Sequence, residues 1–211
     1  MSNVSRRPRL AARMIPDLFL LLALALSIAG CKHLMPVDTT PLDRIGMNFD
    51  SIQRLKSLKI TVPEVAEIAT AKQAGLSDSG CVALLQISRD RGATFDAGDA
   101  VTGLIQVGMA ESTILDLARL NQLGVGEGEL QAMRLAGLPD DIVLAVAQHH
   151  AARTPVLSGA SLSSLRNTGL RASTLLELAQ RGVPDSQADE IASARRRGAT
   201  DAEVLRRFPG S

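Results

Sequence analysis

Residues 61–90 read TVPEVAEIATAKQAGLSDSGCVALLQISRD, and this stretch carries the pattern that indicates the fold class. In both of its halves apolar side chains recur every three or four residues, as at Val65 and Ile68, which is the spacing of one face of an α-helix. Between the halves, Gly75 can adopt the left-handed conformation that ends a helix, and Ser77 can cap the helix that follows. The stretch therefore predicts a helical hairpin.

Two threonines are each followed by a glutamate three residues later, Thr61 by Glu64 and Thr200 by Glu203. In such a capping box the threonine and glutamate side chains bond to each other's backbone N–H groups at the start of a helix. Pro63 falls in the first turn, where its missing N–H breaks no helical hydrogen bond. Both segments therefore predict helix starts.

The same hairpin pattern recurs along the chain. Its turn glycines follow one another at spacings of 33, 29, 32 and 29, and they are Gly75, Gly108, Gly137, Gly169 and Gly198. A period near 31 with two helices per unit is typical of tandem helical repeats, in which neighbouring hairpins must stack to bury their apolar faces. We predict an all-α protein with five α-hairpin repeats in residues 61–211. Whether they form an open solenoid or a compact α-repeat bundle stays open.

The segment before the repeats divides into two parts. Residues 43–60 carry apolar side chains at helical spacing, including Phe49, Ile52 and Leu55, and we predict one lead-in helix there. Residues 31–42 contain two prolines and show no sustained periodicity, which is typical of a flexible tether.

Residues 1–30 have the organisation of an export signal. Four arginines precede an apolar stretch that runs from Leu18 to Gly30. A helix needs about 20 residues to cross a bilayer core, and because this stretch is shorter, it favours a cleaved signal over a permanent span. It ends in Ile28-Ala29-Gly30-Cys31, which resembles the lipobox of bacterial lipoproteins.

This resemblance implies that the Cys31 thiol receives a diacylglyceryl group, that the signal is cut before Cys31, and that the new N-terminus is acylated, for example with palmitate. Two or three acyl chains give stable anchoring, whereas one chain holds only marginally. Lys32 follows the cysteine where lipoproteins retained in the inner membrane often carry aspartate. We therefore expect the periplasmic face of the outer membrane. The alternatives are an uncleaved anchor or a signal cut elsewhere.

Composition excludes several classes of partner. Aromatic residues make up 2% of the chain, with no Trp or Tyr, so platforms for stacking bases or sugars are not expected. Without residues 1–30 the net charge changes from +1 to −2, which lacks the basic footprint of a nucleic-acid binder. With Cys31 acylated, Cys81 has no disulfide partner; its apolar neighbours predict a small buried side chain.

Candidate catalytic and metal-binding residues are few. His33 lies in the tether, and the adjacent His149 and His150 point about 100° apart on a helix, so they cannot share a metal as an i, i+4 pair does. Asp140-Asp141 starts the same helix, where acidic side chains are expected from the helix dipole. No phosphate loop, nucleophile elbow or zinc motif occurs. We predict no catalytic residue, no metal site and no cofactor, and expect that the protein is not an enzyme.

A turn at Leu123-Gly124-Val125-Gly126 resembles the hairpin of helix-hairpin-helix DNA-binding motifs. Glu127 and Glu129 follow it directly, and their carboxylates oppose phosphate binding at that helix start. We interpret the segment as a structural turn, with no nucleic-acid partner.

One dense basic patch lies near the C-terminus, formed by Arg195, Arg196, Arg197, Arg206 and Arg207. It has two interpretations: a solvated face that favourably meets a helix C-terminus, or a surface that contacts anionic lipid or an acidic partner.

Two functional hypotheses follow. The first is a lipid-anchored cell-envelope protein that acts as a non-catalytic scaffold or adaptor for an envelope protein. The second is a cell-wall-associated enzyme or small-ligand carrier with a groove between hairpins. The second requires polar groups in an apolar pocket, with Glu64, Glu67 or Asp116 buried beside it.

Overall fold

The computed structural model describes residues 37–124 and 127–210, and the regular structure in these ranges is entirely helical, which confirms the predicted fold class. The signal, the lipobox with Cys31 and most of the predicted tether lie outside the described residues. The helices are α1 Thr40–Arg44, α2 Phe49–Ser57, α3 Val62–Ala74, α4 Asp78–Asp90, α5 Gly98–Gln106, α6 Glu111–Arg119, α7 Glu127–Leu135, α8 Asp140–Ala152, α9 Gly159–Asn167, α10 Ala172–Gln180, α11 Ala188–Arg196 and α12 Asp201–Arg207, with a 3-10 turn, Asp185–Gln187, before α11.

Successive helices pair as hairpins, and the hairpins stack in two rows. Odd-numbered helices pack on odd-numbered helices and even on even, while each hairpin's two helices also touch. Every even helix from α2 to α10 contributes a fully buried side chain to a shared core, namely Leu55, Leu85, Leu117, Val146 and Leu178. Among the helices that the structure describes, none is both long and apolar enough to cross a membrane.

The region predicted as one lead-in helix, residues 43–60, instead forms most of a further hairpin, α1 and α2, and α1 also includes residues 40–42 of the predicted tether. In the described part of the chain this is the first of six hairpins, which are numbered in chain order. Gly46, with φ +77°, turns the chain between the two helices, and the next residue, Met47, is buried like the apolar residues that follow Gly75, Gly108, Gly137 and Gly169. Helix α1 has only five residues, so it is too short to show a helical period in the sequence.

The unit that repeats most closely is a pair of hairpins. Hairpins two, four and six share the pattern Glu-(Ile or Leu)-x-x-x-(Lys or Arg)-x-x-Gly-x-x-Asp, at 67–78, 129–140 and 190–201. The pattern thus recurs at twice the single-hairpin period, so even and odd hairpins form two distinct classes. We call one even hairpin together with the odd hairpin that follows it a double repeat.

The last aspartate of this pattern joins neighbouring hairpins. Asp78, Asp140 and Asp201 each begin a second helix and accept a backbone N–H from the preceding hairpin, that of Asn48 at 2.8 Å, Ala110 at 2.8 Å and Arg171 at 3.2 Å. Each also pairs with the basic residue of its own pattern, Lys72 at 2.6 Å, Arg134 at 3.0 Å and Arg195 at 3.5 Å. Asp140 is therefore a joint between hairpins as well as a helix start.

The two arginines strengthen the joint further. Arg134 donates to the carbonyl of Gly108 at 3.0 Å, and Arg195, one double repeat later, donates to the carbonyl of Gly169, also at 3.0 Å. Both carbonyls belong to the turn of the preceding hairpin. At the equivalent position of the second hairpin, Lys72 forms an ion pair with Asp78. Lysine lacks the planar guanidinium group that lets arginine bond several acceptors at once.

Candidate partner-binding groove

A groove lies where the second hairpin meets the third. It is a cavity of about 720 Å³ between the C-terminal ends of α4 and α6, bordered by the loop 91–97. Its floor includes the buried side chains Leu84 and Phe95, and its rim carries the exposed residues Asp96 and Asp99. An apolar floor with polar groups at the edge is the usual composition of a binding pocket.

The loop that borders the groove is held by a buried carboxylate. Glu64 is 1% exposed and accepts the backbone N–H of Phe95 at 2.9 Å. Arg89 binds the two carboxylate oxygens at 2.7 and 2.5 Å. Thr61 donates its backbone N–H at 2.8 Å, which is the glutamate half of the capping box, and its hydroxyl at 2.9 Å. Every carboxylate lone pair facing the protein therefore has a donor.

These bonds fix the charge of Glu64. Burial raises its pKa, but the bonds from Arg89, Phe95 and Thr61 outweigh burial and lower the pKa to about 2. Glu64 is therefore ionised at neutral pH and holds no proton to transfer. The buried glutamate that the enzyme hypothesis requires is present, yet its bonds make it an anchor for the loop.

Arg89 extends the anchor to the neighbouring hairpins. Its guanidinium donates to the carbonyls of Leu58 at 2.9 Å and Lys59 at 3.2 Å, where α2 ends. It also donates to the carbonyl of Ala93 at 3.1 Å, inside the loop. One ion pair thus joins the first hairpin, the second hairpin and the border of the groove.

The other two carboxylates named by the enzyme hypothesis have different surroundings. Glu67 accepts the N–H of Gly98 at 2.8 Å and caps α5. Asp116 is half-buried and pairs with Arg119 at 2.5 Å. Neither lines the groove.

The equivalent junction between the fourth and fifth hairpins, at 153–158, is filled. Moving one double repeat along the chain places His149 at the position of Ile87, which lines the groove. The His149 ring accepts from the Thr154 hydroxyl at 2.7 Å and donates to the Gln180 carbonyl at 3.2 Å, because a carbonyl can only accept. A β-carbon on Gly182 would lie 2.8 Å from this ring, so the space is closely packed.

A second side chain closes the same junction. Asp185, which corresponds to Gly124 of the groove, accepts the N–H of Ser158 at 2.8 Å. Hydrogen bonds from Ser161 and Ser158 lower its pKa. Gly124 has no side chain to make this connection. The side chains of His149 and Asp185 occupy the space between the hairpins at 153–158, whereas the equivalent Ile87 and Gly124 leave this space open at 91–97.

The five arginines of the basic patch divide into two groups. Arg195 belongs to the joint between hairpins, and Arg207 pairs with Glu190 at 2.5 Å and lies over the ring of Phe208. The other three, Arg196, Arg197 and Arg206, are exposed. A shallow depression of about 480 Å³ lies beside them.

The remaining residues singled out in the sequence have structural surroundings. Cys81 is fully buried, as predicted, and burial raises the pKa of its thiol to about 12. His150 is half-buried near the end of α8, and the turn residues 125–126 lie outside the described residues. In the part of the chain that is described, no three His, Cys, Asp or Glu side chains are grouped so that they could hold a metal ion.

Comparison with known proteins adds no further assignment, since no family model, curated protein or solved structure matches the chain.

Proposed function

We propose that this protein is a lipid-anchored adaptor of the bacterial cell envelope, which holds another envelope protein in the groove between its second and third hairpins. The observation that carries the proposal is the contrast between two equivalent junctions, one open and one filled. A groove that arose only from imperfect packing would not need a dedicated anchor, but the loop 91–97 has one in Glu64 and Arg89.

The anchor supports binding because it fixes the groove before a partner arrives. A loop that is already ordered loses little conformational entropy on binding. Residues 126 and 151, which correspond to Glu64 and Arg89 one double repeat later, are Gly and Ala. The ion pair is therefore specific to the junction that is open.

The location of the protein is proposed from the sequence. The lipobox at Ile28 to Cys31 supports acylation of Cys31, and the short segment between Cys31 and Asp38 supports a body tethered to the lipid. Lys32 favours the periplasmic face of the outer membrane. The adaptor would thus act at a membrane through its acyl chains.

The proposal is tested in the native host with the full-length chain carrying a C-terminal tag. Cells are fed an alkyne-bearing fatty acid, crosslinked intact and fractionated, and Cys31→Ser is the matched control. We expect acyl label and a specific crosslinked protein on the wild type, both lost in the control. Label without any crosslinked protein, or the same adducts in both chains, would contradict an anchored adaptor.

A small-ligand carrier is the second candidate function. The groove volume of about 720 Å³ lies within the range of about 300–1,000 Å³ that is usual for small-molecule sites. Native mass spectrometry of the protein extracted from its host would distinguish this candidate, because a carrier would retain a bound small molecule.

A further inference from the structure

We infer that the groove at 91–97 takes an extended peptide segment in which a lysine or arginine stands next to an aliphatic residue. This inference rests on the proposed adaptor function and names the chemistry of the partner at the same site. It follows from the charge of the rim, the composition of the floor and the size of the groove.

The rim offers two uncommitted negative charges. Asp96 and Asp99 are exposed, and neither carboxylate has a hydrogen-bond or ion-pair partner among the described residues. Arg91 is the cation among the lining residues, and its guanidinium donates to the carbonyl of Ala118, which also lines the groove, at 2.9 Å. An incoming ammonium or guanidinium group would therefore meet carboxylates without displacing an existing pair.

The buried residues beneath this rim are apolar. Leu84, Phe95, Ala100, Ala118 and Leu123 are each at most 7% exposed and line the groove. An aliphatic side chain placed there would be removed from water, and such burial is the main favourable term in protein association. An anionic or wholly polar segment would lose hydration without this gain.

The size of the groove favours an extended segment over a helix. A helix about 10 Å wide fills roughly 400–500 Å³ per turn of 3.6 residues, so about 720 Å³ holds about six residues, and an isolated helix that short is not stable in water. An extended chain points successive side chains to opposite faces. One aliphatic residue can then reach the floor while the adjacent basic residue remains at the rim.

The test is a selection of random hexapeptides displayed on phage. The target is the full-length acylated chain in nanodiscs of phosphatidylcholine, whose neutral headgroups do not attract basic peptides, and empty nanodiscs are used for counter-selection. We expect enrichment of sequences with Lys or Arg beside Leu, Ile or Val. Enrichment of acidic or uncharged sequences would overturn the inference.

Two variants then locate the binding. For the double variant Asp96→Asn, Asp99→Asn we expect about tenfold weaker binding of a selected peptide by fluorescence anisotropy, since this variant removes two exposed charge pairs of modest strength. Ile87→Trp places an indole in the groove and should abolish binding. The matched control is Asp43→Asn, Asp189→Asn, which neutralises two exposed carboxylates that do not line the groove.

The outcomes separate this inference from the proposed function. Basic peptides that bind equally to the wild type and to the Asp96, Asp99 variant would overturn the inference. Failure to select any peptide, while crosslinking in cells still captures a partner that depends on Cys31, would overturn it and leave the adaptor function standing. Failure of both experiments would overturn both. Melting curves of each variant, followed by circular dichroism, must match the wild type for its binding result to count.

Discussion

The loop 91–97 is held by a buried carboxylate that lies outside the groove, whereas the loop 153–158 is held by an imidazole at the position that lines the groove in the other junction. Glu64 and Arg89 reach the loop backbone through Phe95 and Ala93, and neither of their side chains lines the groove. His149 bonds across the junction itself, from Thr154 to Gln180. The same hairpin stacking can thus produce a surface for a partner or a sealed joint, depending on which side of the loop carries the polar anchor.

The largest effect is expected from removing the anchor of the open junction. Glu64→Gln leaves the half-buried Arg89 guanidinium without its charged partner, and breaking a fully buried pair in this way typically costs about 3–5 kcal/mol. We expect a loss of about 3 kcal/mol in the free energy of unfolding, measured by urea denaturation. Glu67→Gln is the matched control and should lose about 1 kcal/mol, since it keeps a neutral acceptor for Gly98. Equal losses would contradict the role of Glu64.

The charge of the same anchor gives a pH dependence. The pKa of Glu64 is lowered from 4.5 to about 2 in the folded protein. At pH values between these two, Glu64 is protonated in the unfolded chain and ionised in the folded one, so acid favours the unfolded chain. Stability from Glu64 is fully present above about pH 4.5 and falls by about 3 kcal/mol towards pH 2. Unfolding by urea at several pH values should show a shallower decline in Glu64→Gln than in the wild type. Parallel declines would show that the anchor is not ionised.

The glycines at the start of α5 and α9 differ in what surrounds them. A β-carbon on Gly98 would lie 2.6 Å from the backbone oxygen of Glu67, whereas one on the equivalent Gly159 would lie 2.5 Å from the flexible side chain of Met133. Backbone cannot yield as a side chain can, so we expect Gly98→Ala to cost about 2 kcal/mol and Gly159→Ala about 1 kcal/mol. Thermal melting checks the order, and a larger loss at Gly159 would contradict it.

The smallest effects separate the arginines of the basic patch. Arg195→Met removes the bonds to Ala199, Gly169 and Asp201, and we expect a loss of about 1.5 kcal/mol. Arg196→Met alters an exposed side chain and should change stability by less than about 0.5 kcal/mol. Urea denaturation of the two variants provides the check, and similar losses would show that Arg195 does not join the hairpins.

Local sequence patterns predicted the elements that depend on local chemistry. The turn at Gly75 and the capping boxes at Thr61 and Thr200 lie where the sequence placed them, because caps and left-handed turns are decided within a few residues. Turns at Lys59, Asn121 and Arg153 adopt positive φ without glycine, so the sequence does not mark them. The hairpin of α1 and α2 was missed for a related reason, since α1 is too short to show a period.

The groove could not be predicted because it depends on residues far apart in the chain. Glu64 and Arg89 are on different helices of the second hairpin, and neither spacing nor composition indicates that they pair. A signal did exist in the double repeat. The chain aligns with itself at an offset of 62 residues before the loop and 61 after it, because 153–158 is one residue shorter than 91–97, and this alignment shows Ile87 opposite His149 and Gly124 opposite Asp185. These are the substitutions that open one junction and fill the other.

Whether only the open junction receives a partner can be measured by comparing the two junctions in living cells. A photo-crosslinking amino acid is placed at Thr94 or at the equivalent Val156 of the full-length chain, and adducts are separated after illumination. We expect a protein adduct at position 94 that weakens with Asp96→Asn, Asp99→Asn, and none at position 156. Adducts of equal yield at both positions, or at position 156 alone, would contradict it.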